Sequence, residues 1–202
     1  MTNTEYLCRH FSRIGARLRI QEPNARQSVK VRIDVGRDRS GEFFDIRCLE
    51  DVVPEILDVR PASRHLVLMV RDGEFKNKFL LGHDERHWFA AAVPGDNVHD
   101  VRTAIASLRP TEIEGRSAIR QGEWFFVSER GVHENGVAIQ LISIDPKARS
   151  LSWRPMTRDA DVYARGEVRH PDHKTIDLDG WHRVYMNRER FARHAPRIAF
   201  LD

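Results

Sequence analysis

Residues 29–35 alternate without a break, with Val29, Val31, Ile33 and Val35 on one parity and Lys30, Arg32 and Asp34 on the other. Successive side chains of a strand point to opposite faces. This period therefore predicts a half-buried β-strand and is incompatible with a helix. Upstream, Ala16, Leu18 and Ile20 alternate with Arg17 and Arg19 in the same way. Gly36 to Gly41 is a charged turn, and Glu42 to Cys48 resumes as a strand, so residues 29–48 form one predicted hairpin.

The rest of the chain is arranged around further strands. Leu7, Phe11 and Ile14 recur at helical spacing, and Gly15 is placed to end that helix. Cys8 sits between Leu7 and Phe11, and burial on the same face is expected for it. Leu66 to Val70 reads as a buried strand closed by Asp72-Gly73, and Phe79 to Leu81 and Trp88 to Val93 as two more. Pro94 to Asn97 breaks the sheet and offers an N-cap for a helix over 98–108, which Pro110 closes. The polar stretch 109–120 is the predicted domain boundary. Beyond it, residues 124–127, 137–144, 151–153, 162–168, 175–178 and 181–186 read as strands, the last two as a hairpin, and residues 188–194 as a terminal helix.

The expected fold is α+β and predominantly antiparallel β. An N-terminal unit, 1–110, carries a sheet with two helices. A C-terminal unit, 117–202, is a small β-barrel or sandwich with a terminal helix.

The chain has 202 residues, 41% hydrophobic and 31% charged, which fits a folded protein and is too apolar for a disordered one. No apolar run nears the roughly 20 residues that span a bilayer, and the N-terminus lacks a signal peptide's basic and apolar regions. Two cysteines, Cys8 and Cys48, are expected to be free thiols. The expected location is the cytoplasm, with no membrane partner. Net charge is only +3, yet the positive charge is mostly arginine, whose planar fork suits phosphate.

Three constellations are candidates for chemistry. Gly82-His83-Asp84-Glu85-Arg86-His87-Trp88 offers two imidazoles, which would share a metal on a helix but not dependably in a turn. Arg169-His170-Pro171-Asp172-His173-Lys174 with Gly180-Trp181-His182-Arg183 offers three histidines and an aspartate, the donor types of a divalent metal site, zinc above all. A hairpin over 175–186 would fold His182 back toward His170 and His173. Asp172 would then serve as ligand or base, and Lys174 and Arg183 would neutralise developing charge. The third constellation is Arg17 and Arg19 with Lys30 and Arg32, the best electrostatic case for a phosphate backbone. Trp124 in Trp124-Phe125-Phe126 would be a base-stacking platform if exposed. Glycine-rich phosphate loops, nucleophile elbows and Cys-x-x-Cys pairs are absent from the sequence.

Gln121-Gly122-Glu123-Trp124-Phe125-Phe126, Arg165-Gly166-Glu167-Val168-Arg169-His170-Pro171-Asp172-His173 and Gly180-Trp181-His182-Arg183-Val184 together resemble a group of uncharacterised bacterial β-rich proteins. The resemblance implies a β-rich module and no particular activity. The leading functional expectation is a non-catalytic module binding RNA, DNA or a protein partner, of the kind used in mobile-element or defence systems. The alternative is a metal-dependent hydrolase of phosphodiester or peptide bonds.

Overall fold

The structure is a computed structural model and describes residues 2–22, 31–49, 52–73, 75–95, 97–129, 162–169 and 173–188. It divides into two units, Met1–Leu108 with Arg188–Asp202, and Arg109–Asn187.

The first unit opens with α1, Asn3–Arg13. Thr2 accepts the Glu5 N–H through its hydroxyl while Glu5 accepts the Thr2 N–H, so each satisfies an orphan donor of the first turn. Gly15, at φ 77°, turns the chain out of the helix in a conformation costly for any residue with a Cβ. Leu7, Phe11 and Ile14 are buried. Cys8 is exposed, against the sequence expectation. One residue turns an α-helix by about 100°, enough to carry Cys8 off the narrow stripe that Leu7 begins.

Two sheets follow, where the sequence suggested one. The first holds β1 (Leu18–Gln21), β2 (Val31–Asp38) and β3 (Gly41–Cys48) in the order β1-β3-β2. The β2–β3 hairpin is as expected, with its turn narrowed to Arg39-Ser40. β1 joins β3 in parallel, Leu18 opposite Phe44 and Ile20 opposite Ile46. The second sheet is an antiparallel meander of β4 (Val52–Arg60), β5 (His65–Asp72), β6 (Phe75–His83) and β7 (Trp88–Ala92). Leu66, Leu68 and Val70 of β5 pack with Phe11, Ile33, Phe44 and Ile46, while Val67 on the other face packs with Val101, Ala104 and Leu108 of α2 (Val101–Leu108). Burial on both faces explains why β5 is a continuous apolar run rather than an alternating one. The cap of α2 is Asp100, whose Oδ1 accepts the Thr103 N–H at 2.7 Å, so the helix starts later than residue 98.

The second unit holds β8 (Ile119–Gln121), β9 (Trp124–Ser128), β10 (Tyr163–Val168) and β11 (Ile176–Met186). Their order is β10-β11-β9-β8, an open four-stranded antiparallel sheet among the described residues rather than a closed barrel. The predicted hairpin over 175–186 is instead the single strand β11. Asp179-Gly180 makes no turn; it falls where the register slips, so that three residues of β11, Asp179 to Trp181, stand against Arg165 of β10. Gly166, at φ 81°, accommodates the resulting bulge. The strands predicted over 137–144 and 151–153 and the helix over 188–194 lie outside the described residues, apart from Arg188. Among the described residues no helix is long and apolar enough to cross a membrane.

Candidate functional site

Strand register lays out the outer face of the first sheet in three rows: Arg17 beside Phe43 and Gly36, Arg19 beside Asp45 and Asp34, and Gln21 beside Arg47 and Arg32. These residues alternate with the inward Leu18, Phe44, Ile46 and Ile33, so the periodicity of the sequence becomes a polar face backed by the core. At its centre the Phe43 ring lies over Gly36. A Cβ on Gly36 would come within 2.6 Å of the ring, so only glycine lets the ring lie there. Two guanidiniums cover the ring, the Arg19 Cζ at 4.0 Å and the Arg17 Cζ at 5.6 Å from its centroid.

Both arginines also reach Asp38. Arg17 makes a two-pronged pair with its carboxylate at 2.7 and 2.8 Å, and Arg19 adds a bond at 3.4 Å. Arg17 further donates to the Gly41 carbonyl at 3.2 Å. The Arg17 guanidinium, with the Ser40 N–H, holds the Asp38 carboxyl down at about 2. Asp38 is thus a fixed anion, and it carries one negative charge against two positive ones. Arg17 and Arg19 nevertheless keep 44% and 47% of their side chains exposed.

Arg32 is bonded to Asp34 and Arg47 to Asp45, each at 2.6 Å. These pairs neutralise the third row. Asp34 and Asp45 stand directly opposite each other, and each keeps Oδ1 buried with no hydrogen-bond partner among the described residues. Lys30 lies outside the described residues. Trp124 belongs to the second unit, half-buried against the cluster of Phe126, Ala164, Val168 and Leu178, so it does not present an open platform.

The histidine-bearing loop of the first unit is the β6–β7 turn. The Asp84 side chain accepts the Arg86 and His87 N–H groups and the Asp84 N–H donates to the His87 carbonyl, which makes this a tight turn rather than a metal-binding helix. His83 donates from Nδ1 to the Asp84 carbonyl at 2.6 Å and sets its ring edge against Trp88. His87 instead donates from Nδ1 to Glu42 Oε1 at 2.7 Å. The other Glu42 oxygen accepts the Trp88 N–H at 3.0 Å, and Arg37 reaches Oε1 at 3.0 Å. Burial pushes the Glu42 carboxyl up, but these donors outweigh it and hold it below the usual range. Trp88 is covered on another side by Arg64, its Cζ 4.5 Å from the ring centroid; Arg64 itself has φ 56°, an uncommon conformation for a residue with a side chain.

In the second unit, Gln121 is buried and its amide donates to the carbonyls of Lys174 at 2.8 Å and Val168 at 3.4 Å, pinning the two ends of the Arg169–His173 segment. His173 packs on Gly122, where a Cβ would meet its Nε2 at 2.9 Å. With Val184 paired to Phe126 and Arg165 set against Asp179 to Trp181, all three sequence stretches behind the family resemblance touch. His182 is buried in β11 and bonds through Nδ1 to the Gly180 carbonyl at 2.8 Å. Arg183 lies 5.2 Å from the Tyr185 ring. With β11 continuous, His182 is carried along the strand instead of folding back toward His173. His170 and Asp172 lie outside the described residues. Among the described residues no three His, Cys, Asp or Glu side chains gather as a metal site would require.

Comparison with protein-family models, curated proteins and solved structures returns no match.

Asp38, Phe43 and Glu42 have no counterpart in the sequence expectations. The single legible signal was the Gly36…Gly41 turn, which places Asp38 and Glu42 at the mouth of the hairpin. That Arg17 lies across from them follows only from the parallel pairing of β1 with β3.

Proposed function

We propose that this protein is a binding module for nucleic acid, and that Arg17 and Arg19 are its principal phosphate contacts. The observation that carries this reading is that two exposed guanidiniums share one carboxylate while resting on one aromatic ring. The shared Asp38 leaves one positive charge in excess. The ring and the carboxylate together restrict both side chains before any ligand arrives, which lowers the ordering cost of binding. Arginine presents this charge as a planar fork suited to phosphate oxygens. The second unit repeats the device on a smaller scale, with Arg165 4.7 Å from the Trp181 ring centroid.

The test is fluorescence anisotropy with labelled oligonucleotides across a salt series. Each single-strand phosphate contact contributes about 0.7 to the slope of log affinity against log salt, so Arg17→Ala/Arg19→Ala is expected to flatten that slope by about 1.4. Binding that is absent at low salt, or a double variant that matches the parent, would remove the proposal.

A further inference from the structure

We infer that the ligand is single-stranded, and that Arg19 is a stacking surface for one unpaired base; this rests on the nucleic-acid reading above. Phe43 is only 7% exposed, so the ring is not the platform. It is the floor beneath one. The Arg19 Cζ sits 4.0 Å over the Phe43 centroid, so one face of the guanidinium is turned to the ring. The side chain is still 47% exposed, and the ring can cover only one of the guanidinium's two faces. A planar cation held flat by an aromatic ring below and by Asp38 at its edge accepts a second flat group above it. Unpaired bases stack on arginine planes in this way.

A base in a duplex is already stacked on both sides and cannot enter such a sandwich without being flipped out. A base in a single strand can. Arg17 lies just before β1, two residues from Arg19 and about 6.6 Å away at the usual extended rise, within reach of the phosphate adjoining the stacked base. Arg19 then carries a base on its plane in addition to its phosphate contact, whereas Arg17 contacts phosphate alone. Stacking requires no particular base edge, so little sequence preference is expected.

The experiment compares a labelled 20-mer DNA single strand, its RNA equivalent and the matching DNA duplex on the full chain, for the parent, Arg19→Lys and Arg17→Lys. Lysine keeps the charge and removes the plane. Single strands are expected to bind roughly ten-fold more tightly than duplex. Arg19→Lys should abolish that preference, and Arg17→Lys should keep it. Equal binding of single strand and duplex by the parent, or an Arg19→Lys variant that retains the preference, overturns the inference and leaves phosphate binding standing. No binding to any of the three overturns both. A folding check by circular dichroism accompanies each variant, and Phe43→Leu, which removes the floor beneath Arg19, serves as an independent second test of the same loss.

Discussion

One carboxylate, that of Glu42, accepts from the ring of His87 at 2.7 Å and from the backbone of Trp88 at 3.0 Å, so a residue of the first sheet holds the turn that closes the second. The side chain is 15% exposed, which makes the tie worth more than a surface pair. Glu42→Gln keeps the shape and loses the charge. It is expected to cost about 1–3 kcal/mol in urea unfolding. The pH dependence has a definite sign. The folded carboxyl titrates below its unfolded value, so its stabilisation is fully present above the ordinary glutamate range and is lost as pH falls through the folded value. An acid titration of stability should lose this component in the Gln variant, and an unchanged acid limb would sink the account.

The cross-strand pair Gly36 and Phe43 makes a sharper steric prediction. A methyl group at 36 would overlap the ring, with 2.6 Å to its nearest atom. Gly36→Ala should destabilise by about 1–3 kcal/mol, as overpacking does, although alanine is otherwise the better strand residue. The same variant should weaken oligonucleotide binding, because the ring it displaces supports Arg19. A variant as stable as the parent would show that the ring can move freely.

Gln121 holds two backbone carbonyls of the second unit with one amide. Gln121→Ala leaves both acceptors and opens a small cavity at a buried position. The expected loss is about 2 kcal/mol in denaturant, and Gln121→Glu should be no better because it replaces the donor with an acceptor. Rescue by Glu would contradict the hydrogen-bond assignment.

The two thiols should separate cleanly. Cys8 is exposed, whereas burial pushes the Cys48 thiol up to about 11. Maleimide at neutral pH is expected to label one thiol in the native protein and two in urea, with Cys48 reacting at least about a hundred-fold more slowly before unfolding. Rapid native labelling of both would mean that Cys48 is not enclosed.

Periodicity made β2 legible because Val31 and Ile33 are buried while Arg32 between them is exposed, and β3 followed as its partner across the charged turn. β4 escaped because Pro54 interrupts it and Asp58 stands where the register slips; both are tolerated since β4 is an edge strand. β11 was misread for the opposite reason: Asp179-Gly180 has turn composition, but pairing with β10 runs up to Leu178 and resumes at His182, so the chain passes through as one strand with a bulge. The arginines of the candidate site were visible as residues. Their partners were not, since Asp38 lies 21 positions from Arg17 and local spacing carries no information at that range.

The parallel pairing of β1 with β3 also bears on when the protein can work. The β2–β3 hairpin closes over its own two-residue turn, whereas Leu18 must find Phe44, 26 positions along the chain. Short loops close at lower entropic cost than long ones, so the hairpin closes more cheaply than β1 pairs with it. Until it docks, Arg17 and Arg19 are ordinary mobile cations with no ring beneath them and no shared carboxylate. A nascent or partly unfolded chain has the same charge as the finished one but lacks this fixed arrangement of it.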